Sequence, residues 1–204
     1  MTRIAGLTGA TLPTAPTVCH RCVWWQSRSG RDVDKRRWIN GTEEEWGAWG
    51  TVYYDDDARL LGSMQYGPAD LFPRAAELPA GPASSDAVLV TCAYVTDPSK
   101  PWVLQSLFLT AIGDAREKGA AALEAFAYRY AESDGQYERF HVHKTIFPRD
   151  FLADFGFTTV RSQGRVELAR LELGGLQPVV EGKRERVLAV VREAFLPAPA
   201  PQRP

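Results

Sequence analysis

The run Ala87–Val95, AVLVTCAYV, is apolar almost from end to end. A strand without a polar face has to be covered on both sides, so it belongs inside a sheet held between two layers. A helix pattern follows at once. Leu104, Leu107, Phe108, Ala111, Ile112 and Ala115 recur at spacings of three and four, with Asp114, Arg116 and Glu117 off that stripe. Pro101 suits the first helical position and Gly119 the residue just past the end. A strand, a short turn and a helix make a ready anion site, because the first N–H groups of a helix have no partner within it. Glycine normally lets the backbone close on the anion. Here the turn DPSKPWVLQ has no glycine, and Pro101 and Trp102 stand where the helix begins.

The rest of the chain sorts around this unit. Residues 1–17 are rich in Thr, Gly and Pro and are expected to be a flexible segment. CVWWQ, residues 22–26, is aromatic and β-branched and reads as a strand, and SRSGRDVDKRR reads as a polar loop. Thr42 and Glu45 have the spacing of a capping box, which predicts a helix start there with Trp46 and Trp49 on one face. TVYYDDDARLLGSMQYG reads as a hairpin turning at DDDA. The proline-rich stretch PADLFPRAAELPAGPASSD reads as a crossing segment with no long helix. After the central unit come a strand over 121–129, a polar excursion, a short helix from about Pro148 to Gly156, and a hairpin turning near Ser162–Gly164. Val187, Val190, Val191 and Ala194 share one side of a C-terminal helix over 176–196, and residues 197–204 read as a disordered tail.

With 204 residues the chain can bury a core without staples. A net charge of −1 gives no basic field for nucleic acid or an anionic membrane, and no stretch approaches 18 apolar residues. Three cysteines are too few for a disulfide framework, and with no secretory signal visible the expectation is a cytoplasmic protein.

AYVTDP, LQSLFLTAIGDAREKG, AALEAF and FLADFGFTTVR stand in an order and at spacings that resemble the GNAT superfamily of acyl-CoA-dependent N-acetyltransferases. They resemble its fourth strand, the long helix after it, its fifth strand, and its short helix with a Gly-Phe exit. The likeness covers roughly residues 20 to 173. It implies an α/β domain over 18–175: a mixed, mostly antiparallel sheet, splayed near its middle and flanked by helices. It also implies acetyl-CoA or another acyl-CoA as co-substrate. The pantetheine arm would pair with Ala93, Tyr94 and Val95, and the pyrophosphate would meet Lys100, Trp102, Val103 and Leu104. No metal is expected.

Two departures stand out. The turn is about two residues shorter than the family's and lacks its glycines. The N–H groups of Trp102, Val103 and Leu104 still offer an anion site there, unless Trp102 covers it or serves as packing. Many members also carry a tyrosine that protonates the departing thiolate, and Leu152 occupies that position.

Acyl transfer to an amine needs a base, an oxyanion donor and a leaving thiolate. Backbone N–H groups at a splayed strand meet the second need. Glu124, within an apolar run, is the candidate base, against the alternative that it points to solvent or pairs with an arginine. His141 and His143 are the other candidates.

Cys19, Cys22, His141 and His143 offer four zinc ligands of acceptable type, against the commoner reading of Cys19 and Cys22 as reduced thiols. Tryptophans 24, 25, 46 and 49 either line an acceptor pocket or belong to core or interface. The C-terminal helix makes a homodimer plausible. Two functions follow: acyl transfer to the amine of a small molecule or protein lysine, or a non-catalytic binding or oligomerisation module that has lost CoA affinity.

Overall fold

In the computed structural model, residues 3–28, 33–131 and 143–175 are described. They form a sheet of nine strands flanked by helices. The main path runs β1 (Arg3–Gly6), β2 (Gly50–Tyr54), β3 (Leu60–Pro68), β4 (Ala87–Val95), β5 (Ala122–Tyr128), β9 (Val166–Glu172) and β8 (Thr158–Gln163). Neighbours on that path are antiparallel except β4 and β5, which run parallel. Two short strands leave the path: β6 (His143–Lys144) joins β4, and β7 (Phe147–Pro148) joins β5. The fold is therefore the mixed, mostly antiparallel α/β class that the resemblance implied.

The central unit forms where the sequence puts it. β4 has the expected bounds, and α3 spans Pro101–Glu117 with Gly119 at φ +75° beyond its end. Val103, Leu107, Phe108, Ala111 and Ala115 are the buried positions of α3. The helix lies close on β3: a Cβ at Gly62 would come within 2.8 Å of both the Tyr94 carbonyl oxygen and a Val103 methyl. Phe108 is fully buried and meets Phe147, Phe151, Phe155 and Phe157, with ring centroids 5.0–6.3 Å apart. This cluster holds α4 (Arg149–Asp154) and β7 against the helix. The opposite face of the sheet is covered by Trp25, Phe72, Leu89, Phe126 and Leu168, packed as one core.

Both predicted hairpins form, and the proline-rich crossing carries only two short 3-10 turns, Ala69–Leu71 and Pro73–Glu77. Three expectations are corrected. Residues 3–17 of the segment read as loose are ordered: β1 pairs with β2 at the sheet edge, and Thr8 and Thr11 close the turn after it through their hydroxyls. Residues 22–26 are not a strand but a turn after α1 (Thr17–Arg21). Their aromatics pack onto the sheet from that turn, Trp25 stacking on Phe126 at 6.0 Å. Lastly, Thr42 does not start a helix. α2 spans Lys35–Glu45 and is capped by Asp34, whose carboxylate accepts from the N–H groups of Arg36 and Arg37. Thr42 lies in its last turn. The predicted C-terminal helix and tail fall outside the described residues, and among the described residues no helix is long and apolar enough to cross a membrane.

Candidate active site at the parting of β4 and β5

β4 and β5 pair from Ala87 with Ala122 to Val90 with Ala125, and there the pairing ends. The cause lies in the next residue. Gln65 of β3 opposes Cys92 and Tyr66 opposes Val90, so Thr91 is one residue too many for its partner strand. Such a bulge increases local twist and bends its strand. The buried Thr91 hydroxyl fixes the bend by reaching the Gln65 carbonyl oxygen at 3.2 Å and its side-chain oxygen at 3.0 Å. Beyond it the two strands diverge, as the splayed sheet requires.

The gap between them is not bare backbone. Ala93 and Tyr94 pair with Lys144 and His143 of β6, while Ala127 and Tyr128 pair with Phe147 and Pro148 of β7. One stretch of chain, 143–148, thus lines both sides of the opening. The residues expected to hold the pantetheine arm are therefore partly engaged: Ala93 and Tyr94 by β6, with Val95 beyond it. The helix start is also less open than expected. The Val103 N–H bonds the Lys100 carbonyl oxygen at 3.0 Å. Lys100 pairs with Asp97 at 3.6 Å, and Leu104 is half-buried. Trp102 is 42% exposed and leans edge-on against Tyr53 at 5.7 Å, so it is not buried packing.

Glu124 is corrected as the candidate base. It lies before the parting, at the closed end of the strand pair, and its carboxylate is fully buried. Oε1 accepts from the Ser84 hydroxyl at 2.6 Å and from Arg170 at 3.1 Å, and Oε2 accepts from the Ser84 N–H at 2.8 Å. A fully buried carboxylate held on both oxygens by three donors, one of them an arginine, is a structural ion-pair element at the closed end of the sheet. Arg170 also binds Asp86 at 3.0 Å and Glu172 at 2.6 Å. The hydrogen bond from Arg170 holds the Asp86 carboxyl below its usual range.

A second buried carboxylate ties down the β5 side of the opening. Glu167 bonds the Thr159 hydroxyl at 2.6 Å, Arg149 at 3.2 Å, and Arg129 through a short contact. Burial pushes its carboxyl up, but the Thr159 and Arg129 hydrogen bonds and the two arginine charges outweigh burial and bring it below the usual range. A carboxyl lowered on folding stabilises fully above its unfolded value, near 4.3, and loses that contribution as pH falls through the lower folded value. Glu167→Gln should thus cost about 1–3 kcal/mol at neutral pH. The difference from wild type should vanish in acid, which urea unfolding across pH 3–7 would read out.

Leu152 is buried in α4, so the short helix supplies no hydroxyl at the family's acid position. His141 and the side chain of His143 lie outside the described residues. Cys19, Cys22 and Cys92 are reduced, and among the described residues no three His, Cys, Asp or Glu side chains converge as a metal set.

What the sequence did not single out is a cavity of about 50 Å³ on the sheet face opposite α3. Cys19, Cys22, Trp24, Trp25, Lys35 and Trp49 close it over Gln65, Cys92, Ala93 and Tyr94. Of the four tryptophans singled out in the sequence, Trp24, Trp25 and Trp49 line this cavity and Trp46 does not, and Lys35 joins them. Lys35 was hidden in what reads as a polar loop. Asp34 directly before a segment with Trp38, Ile39 and Thr42 at helical spacing was the available signal.

No protein-family model matches the chain, and no curated protein matches it. Solved structures similar to it include the ribosomal-protein-S18-alanine N-acetyltransferase from Escherichia coli, at 10% identity over 88% of this chain and 99% of that one, with a TM-score of 0.49. Ard1 from Thermoplasma volcanium is 11% identical over 86% and 99%, with a TM-score of 0.47. yncA from Salmonella typhimurium, solved with acetyl-CoA, is 17% identical over 87% and 96%, with a TM-score of 0.44. Likenesses this distant carry no argument about activity. The strand order, the parallel β4–β5 pair that parts at a bulge, and the helix between those strands are this chain's own, and they give it a GNAT-type fold.

Proposed function

We propose that the chain is an acyl-CoA-dependent N-acyltransferase acting on the amine of a small molecule or a protein lysine, in a reducing cytoplasm. One observation carries the reading: β4 leaves β5 after Val90, at the ends of the strands where the resemblance puts the thioester carrier. Acyl-CoA would supply the activated thioester. Ala93, Tyr94 and Val95 would hold the pantetheine arm, and the N-terminal turn of α3, with Lys100, would face the phosphates. These residues accept the carrier only after β6 has left β4. That step is small, because β6 has two residues and a net hydrogen bond is worth about 1 kcal/mol. Deprotonation of the amine falls to a group other than Glu124.

The same strand favours a second reading, a binding module whose cleft is closed by its own chain. Thermal melting with acetyl-CoA separates the two. Ligand at a hundredfold excess over its Kd should stabilise the fold by about 2.7 kcal/mol. Lys144→Pro, which weakens the β6 ladder, should tighten CoA binding by up to roughly tenfold. No melting shift at millimolar acetyl-CoA in either protein would leave the module as the surviving reading.

A further inference from the structure

Lys35 is placed as few lysines are. It is the first residue of α2, where the partial positive end of the helix disfavours a cation. Its Nζ lies over the rings of Trp38 and Trp49, 4.7 and 5.0 Å from their centroids. The side chain lines the 50 Å³ cavity. The other titratable groups there are the thiols of Cys19 on α1, Cys22 after it and Cys92 on β4, and the phenol of Tyr94. Ser63 and Gln65 on β3 and Thr145 between β6 and β7 are neutral. Among the described residues no carboxylate pairs with Lys35, and its neighbour Asp34 is bound to the backbone of α2. Burial lowers the Lys35 ammonium from its ordinary value, only partly opposed by the three thiols. Burial also pushes the Cys92 thiol up to about 12 and raises that of Cys19. Of the three groups so shifted, the amine is the one that sheds its proton more readily than usual.

Two donors at the cavity also lack a partner among the described residues, although Ser63, Gln65, Tyr94 and Thr145 bring oxygens to its wall. Trp25 and Trp49 line it and are each 2% exposed, and their indole N–H groups have no hydrogen-bond partner among the described residues. Buried donors left without a partner are uncommon and point to a missing acceptor. A cavity of this size admits a group of two or three heavy atoms beyond a water. A short acyl group on the lysine nitrogen brings a carbonyl oxygen that an indole N–H can meet, a small apolar tail, and removal of a charge that burial and the helix N-terminus disfavour and only the two ring contacts support.

We propose that Lys35 is a self-acylation site, which takes a short acyl group from a thioester into the cavity beside β4. The neutral amine attacks the thioester carbonyl, the C–N bond forms, the C–S bond breaks, and the amine proton leaves with the thiolate as free thiol. The charge and the nitrogen's nucleophilicity are lost together, so the modified protein holds the group as a stable amide. The proposal needs a thioester and no particular carrier, so it stands apart from the acyltransferase reading.

The experiment treats the folded full chain with the acetyl thioester of N-acetylcysteamine, and in parallel with acetyl-CoA, and maps acetyl-lysine by peptide mass spectrometry over time. Lys35 should acquire one acetyl group roughly tenfold faster than the exposed Lys100. In urea that preference should disappear, because the cavity is gone. Lys35→Arg and Lys35→Met should melt as wild type or higher and take no fast label. Fast labelling by the small thioester without any melting shift from CoA supports the proposal and removes the acyltransferase reading. A CoA melting shift with Lys35 labelled no faster than Lys100 by either donor overturns the proposal and leaves that reading intact.

Discussion

Arg170→Met should lower the unfolding free energy by about 3–5 kcal/mol, read as a shift of the urea midpoint at unchanged slope. The size follows from what the arginine leaves behind. Glu124 is fully buried between Leu123 and Ala125, and Arg170 is the cation that reaches it, at 3.1 Å. Methionine fills similar space but leaves a buried carboxylate with Ser84 alone. The exposed partners, Asp86 and Glu172, return to water at little cost. Because the penalty belongs to the stranded charge, adding Glu124→Gln should restore most of the loss, as replacing both partners of a buried pair is often near neutral. The same pair tests the placement of Glu124. Its amide variant should change stability and leave acetyl-CoA binding as it was. A base role would show the reverse: activity lost with stability kept.

Pairing of Glu124 with an arginine was one of the two sequence readings, but which arginine was not legible. Glu124 stands in an apolar run, which signals burial and hence either a tuned acid or a paired one. The deciding partner is 46 positions further on, opposite Glu124 in an antiparallel register that only the folded sheet sets. The same limit hid β6, a two-residue strand that joins β4 across some 50 intervening positions. By contrast, Ala87–Val95 and α3 carry their information locally, in an unbroken apolar run and a 3-to-4 stripe bounded by proline and glycine, and both form as read.

The aromatic run at 22–26 was legible in composition but not in conformation. Strand propensity reports a fit to a half-buried surface, and a turn that lays its rings on a sheet satisfies the same preference. Arg74 holds that turn by donating to the carbonyl oxygens of Trp24 at 2.7 Å and Ser27 at 2.9 Å.

Phe108→Ala should cost about 3–5 kcal/mol, the loss expected when a large side chain is cut from a filled core. Phe108 sits at the centre of four rings that come from β7, α4, the residue after α4 and the residue before β8. Cutting it back leaves those rings without the side chain they share, and Phe151 and Phe155 with only each other as ring partners among the described residues. Phe108→Leu, which keeps most of the volume, should cost less than about half as much. The damage should also be local before it is global. Phe147 is the buried residue of β7, and β7 anchors the stretch 143–148 that lines the opening between β4 and β5. Hydrogen exchange in Phe108→Leu should therefore quicken first at residues 143–157, while the amides of β3 and the paired half of β4 stay protected. If the opening is a thioester cleft, that loosened stretch releases Ala93 and Tyr94, and acetyl-CoA should bind the leucine variant at least as tightly as wild type despite its lower stability. Weaker binding in step with lost stability would mean that the stretch 143–148 builds the site instead of closing it.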